Sequence, residues 1–245
     1  MRTYAVGDIH GQLARLDQAH ARIAADRALT GDAEAPVIHL GDLVDRGPDS
    51  AGVIARIRGG IAAGEPWAAV KGNHDRMFLG WLADPWSRDP GLDADLGWLH
   101  PRLGSDATLA SYGIRAPGDR PVPQVHAEAL AAVPQEDRDW LASRPAHIRR
   151  GELLLVHAGI RPGVPLDQQT ETDRVWIRKP FLEDPRDHGF LVVHGHTALD
   201  RACHHGNRVN LDGGAGYGRA LVCAVFEGRD CWLLTDAGRE PLPAP

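Results

Sequence analysis

The chain has 245 residues, with 27 Lys and Arg against 33 Asp and Glu, 13 histidines and three cysteines. Its formal charge of −6 gives no basic footprint for nucleic acid, and no apolar run approaches the roughly 18 to 20 residues of a membrane span. Cys203, Cys223 and Cys231 all fall late in the chain without Cys-x-x-Cys spacing, which argues against a disulfide framework or a structural zinc site.

This length suits one α/β domain better than two small ones, and we expect a single domain over residues 1–245. The first strand, Thr3-Tyr4-Ala5-Val6, begins almost at once and runs into Gly7-Asp8-Ile9-His10-Gly11. With no basic-apolar-small signal pattern before it, the expected location is cytoplasmic. Leu13, Leu16, Ala19, Ile23 and Ala24 then recur at helical spacing, with Arg15, Asp17, Arg22 and Asp26 between them, so a helix is expected to end before Gly31.

A second apolar run, Val37-Ile38-His39-Leu40, delivers the densest charged stretch of the chain, Gly41-Asp42-Leu43-Val44-Asp45-Arg46-Gly47. Pro48 and Asp49 open the next helix, whose apolar face is Val53, Ile54, Ile57 and Ile61. The third strand starts at Trp67 and ends in Gly72-Asn73-His74-Asp75, after which Met77, Phe78, Trp81 and Leu82 line a further helix before Pro85 and Pro90. Strands alternating with helices imply parallel strands joined by right-handed crossovers, with all their carboxyl ends on one edge. On that edge Asp8, His10, Asp42, Asn73 and His74 converge.

Residues 84–123, rich in Gly, Pro, Trp and Asp, read as an insertion rimming the site with one weak helix near 108–112. Two more helices are expected near 124–132 and 136–143, giving a cap at about 84–149 anchored by Trp81, Trp86, Trp98 and Trp140. Leu153-Leu154-Leu155-Val156 then ends in His157-Ala158-Gly159, and Phe190-Leu191-Val192-Val193 in His194-Gly195-His196. The apolar segments at 208–211, 220–226 and 231–234 read as strands of a second sheet, and the tail from Pro241 to Pro245 as disordered. Outside these motifs, His20, His39, His100, His126, His147, His188, His204 and His205 are expected to be exposed or satisfied, and His194 to be packed in its strand.

Taken in order, Gly7-Asp8-Ile9-His10-Gly11, Gly41-Asp42-Leu43-Val44-Asp45-Arg46-Gly47, Gly72-Asn73-His74-Asp75, His157-Ala158-Gly159 and Gly195-His196 resemble the signature of the calcineurin-like metallophosphoesterases. The intact Gly-Asp-x-Val-Asp-Arg-Gly is similar to the PPP branch, which holds serine/threonine protein phosphatases, the phage lambda-type phosphatase and symmetrical diadenosine tetraphosphatases. The resemblance implies an α/β fold of two packed mixed β-sheets flanked by helices. It also implies two divalent metal ions, with Asp42 as the bridge, Asp8 and His10 completing one site, and Asn73, His157 and His196 the other. Carboxylate, imidazole and amide donors suit manganese first, with iron or zinc also fitting, and two such cations yield a bridging hydroxide for direct attack on phosphorus.

In this reading His74 is the general acid, Asp45 orients its imidazole, and Arg46 grips phosphate oxygens through its planar fork. Arg178, in Val175-Trp176-Ile177-Arg178, resembles a second phosphate-binding arginine of lambda-type enzymes and is preferred to Arg174; Tyr217 is a loose match to a pocket residue. Ala198 stands where the family's diesterases carry a further histidine, and the eukaryotic Ser-Ala-Pro-Asn-Tyr-Cys segment is missing, so no regulatory subunit is indicated.

The leading expectation is thus a metal-dependent phosphomonoesterase, a serine/threonine protein phosphatase acting on a phosphoprotein or a phosphorylated small molecule, with neither nucleic acid nor membrane as partner. The alternative is a symmetrical dinucleoside polyphosphate hydrolase, which Asp75 favours and Asp45 disfavours, since some tetraphosphatases replace that aspartate. A non-catalytic scaffold is the third reading, and retention of Asp45, His74 and every ligand argues against it.

Overall fold

The computed structural model describes residues 1–115 and 117–245. Strands β1 (Arg2–Val6), β2 (Val37–His39) and β3 (Trp67–Ala69) are parallel neighbours, and helices α1 (Leu13–Thr30) and α2 (Ser50–Ala62) make the two crossovers between them. Alternation along β1 places each side of this sheet. Tyr4 and Val6 pack with Leu16, Ile23, Val53 and Ile57 of the two helices, whereas Ala5 joins Ile38, Leu155, Val193 and Val209 in a core shared by two sheets.

Helix α1 buries Leu16, Ala19 and Ile23 as its spacing predicts, but Ala24 is exposed and Asp26 is buried in its place. The reason is electrostatic: Asp26 accepts the Tyr4 hydroxyl at 2.7 Å and two Arg239 nitrogens at 2.6 and 2.8 Å, so its carboxylate is fully partnered where a lone one would be costly. Helix α2 starts on Asp49, whose side chain takes the Gly52 amide at 2.7 Å.

After α3 (Asn73–Ala83), residues 84–149 carry α4 (Ser105–Ser111), α5 (Val122–Ala132) and α6 (Gln135–Ala142), within a few residues of the expected helices. Trp81 and Trp98 stack within 4.9 Å, Phe78 lies 5.1 Å from Trp98, and Trp140 packs against the same cluster. Trp86 does not anchor anything in this way. It occupies a turn over Asp84 and is 66% exposed.

The second sheet holds β4 (His147–Arg150), β5 (Leu153–Val156), β6 (Leu191–His194), β7 (Cys203–His204) and β8 (Arg208–Asn210), in the order β4-β5-β6-β8-β7. Its outer face is covered by Ile177 and Phe181, which follow α7 (Glu171–Trp176). Of the C-terminal strands, only β8 joins this sheet. β9 (Cys223–Glu227) pairs antiparallel with β1, and β10 (Asp230–Thr235) and β11 (Gly238–Pro241) extend the first sheet to the order β11-β10-β9-β1-β2-β3.

The expectation that 220–226 and 231–234 belong to the second sheet is therefore corrected. A strand apolar on both faces fits either sheet, and Cys223 and Val225 turn to the helices while Ala224 and Phe226 enter the inter-sheet core. The tail is also more ordered than expected: β11 reaches Pro241, and the Leu242 amide donates to the Cys231 carbonyl at 2.9 Å. Two mixed sheets flanked by helices result. No helix among the described residues is long and apolar enough to cross a membrane.

Candidate metal and phosphate site

The loops leaving β1, β2, β3, β5 and β6 meet at one edge, as expected for ligands held beyond the carboxyl ends of parallel strands. Backbone strain marks the same place. The non-glycine residues with left-handed φ among those described are His10, Asp42, Asp45, Arg46 and His196, at +47°, +47°, +72°, +70° and +66°. Such conformations cost of order 1–3 kcal/mol each and persist where the surroundings over-determine them. Two glycines allow the loops to close this tightly: a Cβ on Gly72 would lie 2.2 Å from the Asp42 amide, and one on Gly195 would lie 1.8 Å from an Asp8 carboxylate oxygen.

Histidine hydrogen bonds define which nitrogens face the centre. His10 Nδ1 donates to the Val44 carbonyl and His157 Nδ1 to the Leu40 carbonyl, both at 2.9 Å, so each ring presents an unprotonated Nε2 inward. His157 Nε2 then lies 2.9 Å from Asn73 Oδ1 and 3.3 Å from Asp42 Oδ1, while His10 Nε2 lies 3.4 Å from Asp42 Oδ2. Lone pairs thus point at lone pairs.

Nearby, Asp8 Oδ1 and His196 Nε2 are buried with no hydrogen-bond partner, although Asp8 Oδ2 accepts the His196 amide at 2.9 Å. Two groups of donors, His10-Asp42-His74 and Asp42-His157-His196, share Asp42. Buried acceptors facing one another are the requirement of a cation, and the donor types suit a divalent one. The residues therefore fit a metal pair.

The protonation states agree with this. Burial, then repulsion from Asp212 and Asp42, pushes the Asp8 carboxyl well above its ordinary range. At Asp42 burial acts the same way, but His157, His74, His10 and His196 together outweigh it and hold this carboxyl below its usual range. Burial lowers His10, His157 and His196, which keeps these imidazoles neutral as ligands must be.

His74 is held differently. Its Nδ1 bonds Asp45 Oδ2 at 2.6 Å, its backbone amide donates to Asp42 Oδ1 at 3.0 Å, and its Nε2 lies 3.1 Å from an Arg46 nitrogen. Arg46 also reaches His10 Nε2, the contact a cation would make, and its guanidinium lies over the Tyr217 ring at 4.7 Å. Asp75, beside these residues in sequence, accepts the Leu43 and Gly72 amides at 2.9 and 2.8 Å and so ties the second and third loops together.

The site opens into a cleft of about 650 Å³. Arg46, Arg102, Arg178 and Arg219 line it, together with the aromatic Trp176 and Tyr217 and the apolar Leu92 and Leu96. Arg178 is exposed on this wall, near enough to His196 to help lower it, whereas Arg174 turns away to bond the Leu166 carbonyl at 2.7 Å. Asp8, His10, Asp42, Asp45, Arg46, Asn73, His74, His157 and His196 are all brought together; Arg178 stands at the rim.

Sequence reasoning missed three buried contributors. Asp212 lies close enough to Asp8 to raise its affinity for a proton, and its own carboxyl is raised by burial. Trp98 Nε1 donates to Asp45 Oδ2 at 3.0 Å, and Thr108 Oγ1 to Asp45 Oδ1 at 2.8 Å. The stretch Asn210-Leu211-Asp212-Gly213-Gly214, an aspartate and glycines directly after an apolar run, carried a signal for the first; nothing in sequence pattern pointed to the others.

Residues 1–224 match the calcineurin-like phosphoesterase family, and the chain belongs to it. That family is one of phosphoesterases that work with a dinuclear metal centre. Among curated proteins, the chain is 32% identical over 168 residues to the symmetrical bis(5'-nucleosyl)-tetraphosphatase of Acidovorax sp. strain JS42, covering 66% of this chain and 45% of that protein. It is 33% identical over 159 residues to the same-named protein of Bordetella pertussis strain Tohama I, covering 64% and 43%. The chain thus spans less than half the length of these relatives.

Solved structures share the fold. One assigned provisionally as a diadenosine tetraphosphatase has a TM-score of 0.62 and 24% identity, covering 95% of this chain and 92% of that one. The cold-active protein-tyrosine phosphatase of a psychrophilic Shewanella has a TM-score of 0.62 and 20% identity, covering 99% and 80%.

Proposed function

We propose that this metallophosphoesterase hydrolyses dinucleoside polyphosphates at an internal phosphoanhydride bond, yielding two nucleotides. This reading displaces the serine/threonine protein phosphatase expected from the motifs. The observation that carries it is the number of arginines on the cleft wall: one phosphoryl group needs Arg46 beside the buried cluster, whereas Arg102 and Arg178, with Arg219 paired to Asp200 at 2.7 Å, add the positive charge a chain of phosphates requires. The curated relatives support the same substrate class. Trp176 and Tyr217 offer flat faces where a nucleobase can stack.

In this proposal Asp8, His10, Asp42, Asn73, His157 and His196 hold two divalent ions, manganese by preference. When bound, the ions activate water and neutralise charge on the phosphoryl group. Arg46 binds non-bridging oxygens of the phosphoryl group under attack. As the P–O bond to the leaving phosphate breaks, His74 delivers its Nε2 proton to the departing oxygen while Asp45 holds Nδ1. Arg102, Arg178 and Arg219 hold the phosphates on either side. Residues 84–149 act as a cap over this cleft, contributing Leu92, Asp93, Leu96, Arg102 and Leu103 to its wall.

A second reading has one observation in its favour. An acid dyad as fully buried and braced as Asp45–His74 is better matched to a poorly leaving alkoxide than to a phosphate, which departs readily unaided. Phosphomonoesters of small molecules are therefore the comparison substrate. The manganese-loaded protein should turn over diadenosine tetraphosphate faster than a small alkyl phosphate or a phosphoserine peptide, with ADP as product and no activity under chelator. Faster cleavage of the monoester or the peptide overturns the anhydride reading. Bound metal with no turnover of any of the three revives the scaffold.

A further inference from the structure

The environment of Asp45 is supplied largely by the cap. Its carboxylate is wholly buried and accepts three side-chain hydrogen bonds, one from His74 and two from residues beyond Asp84: Trp98 Nε1 at 3.0 Å and Thr108 Oγ1 at 2.8 Å. The Thr108 hydroxyl oxygen also accepts the Asp45 amide at 2.8 Å and lies 3.0 Å from Ser50 Oγ. The next amide, that of Arg46, donates to the Gly104 carbonyl at 2.9 Å. Asp45 and Arg46 both hold left-handed φ, a strained pair whose polar groups are met by the cap on three sides.

We propose that Trp98 and Thr108 are positioning residues for proton donation. They fix the Asp45 carboxylate, Asp45 fixes the His74 ring, and the cap thereby sets where His74 Nε2 stands in the cleft. The inference rests on the reading of His74 as the acid. Trp98 is also packed against Phe78 and Trp81, so bulk alone could explain its place in the fold. What bulk does not explain is the direction of the indole N–H, or a threonine hydroxyl that both donates to and accepts from one residue.

The variants that separate these roles are Trp98→Phe, which keeps an apolar ring and deletes the N–H, and Thr108→Val, which keeps shape and deletes the hydroxyl. The manganese-loaded full chain is assayed on an alkyl phosphate, whose leaving group needs a proton, and on p-nitrophenyl phosphate, whose leaving group does not. Each variant should lose about 10- to 100-fold in kcat on the alkyl ester, less than about threefold on the nitrophenyl ester, with little change in KM. His74→Asn run alongside should show the same selectivity, more strongly.

A second readout is independent of turnover. In the metal-free protein, the downfield proton resonance of the His74 Nδ1–H held by Asp45 should shift or vanish in both variants while urea unfolding remains cooperative. Equal losses on both esters with this resonance unmoved would make Trp98 and Thr108 packing residues and overturn the proposal. If His74→Asn shows no leaving-group selectivity, the acid reading itself fails, and the resonance alone then decides whether the cap positions the ring.

Discussion

At the level of single residues, the site is a set of groups arranged against their own preferences. His10 and His157 spend Nδ1 on backbone carbonyls and so direct unprotonated nitrogens at the oxygens of Asp42 and Asn73, a geometry that repels itself until a cation lies between. This predicts a protein whose stability depends on divalent ions. Titration with manganese should give two equivalents per chain and raise the melting temperature, and a chelator should reverse the rise. His157→Ala should bind about one equivalent, leaving the site of Asp8 and His10 occupied; two equivalents by calorimetry in that variant would remove His157 from the ligand set. These residues were legible because each directly follows an apolar run and is of a type that turn chemistry alone does not call for five times over. Trp98 and Thr108 were not legible, because their partner lies 53 and 63 residues away and a tryptophan or threonine in a loop carries no mark of what it bonds.

Elements rather than residues explain why the sheet edge is rigid enough to hold such a cluster. Helix α1 is tied to β2 behind the site by a buried histidine pair, His20 Nε2 to His39 Nε2 at 2.9 Å, with His39 Nδ1 donating to the Ala68 carbonyl of β3 at 2.8 Å. His39 Nε2 is therefore the acceptor and His20 the donor, and the bond needs the His39 ring neutral. Burial, aided by the neighbouring His39, lowers His20 to about 3, and burial lowers His39 to about 4 against the opposing Ala68 bond.

Both folded values lie below the 6.5 of the unfolded chain, so the unfolded state binds more protons as the pH falls, and the stabilisation present above about 6.5 is lost on acidification toward 4. Each histidine contributes a slope of at most about 1.4 kcal/mol per pH unit in that window. Other buried histidines act with the same sign, so the test is a difference. His20→Gln, which keeps a donor but does not titrate, should lose less stability between pH 7 and pH 5 than the unaltered chain in urea unfolding, and an equal loss would exclude the pair as a source. Both histidines were expected to be exposed or satisfied; His39 is satisfied by His20 and the Ala68 carbonyl, whereas His20 is buried with Nδ1 unpartnered. Periodicity located α1, α2, α3 and the parallel strands because each presents one apolar face to a single neighbour. It could not choose a sheet for β9 and β10, since residues apolar on both faces fit the middle of either.

For the whole molecule, the contrast that matters is between a chain of net charge −6 and a cleft walled by Arg46, Arg102, Arg178 and Arg219. Against Asp42, Asp93 and Asp212 on the same wall, these arginines leave the cleft less negative than the rest of an acidic chain, which favours polyanions there over elsewhere. Leu92, Asp93, Leu96, Arg102 and Leu103 complete the cleft, and the segment before them is held by Asp89, which accepts Arg76 at 2.6 and 2.7 Å and Trp176 Nε1 at 2.8 Å. Residues 84–123 could be read as rimming the site, but their Gly, Pro and Asp fix turns and show no period from which to place Arg102.

Its role is nevertheless testable through substrate length. A single phosphate bound beside Arg46 and His74 leaves Arg102 unused, whereas a chain of four spans the cleft. Arg102→Ala should therefore raise KM for diadenosine tetraphosphate about tenfold, an effect near 1.4 kcal/mol, while changing KM for a small phosphomonoester less than about twofold. Because Arg102 is exposed, the tetraphosphate effect should shrink as salt is added. A variant that weakens both substrates alike would show that Arg102 shapes the cap rather than meeting the phosphate chain.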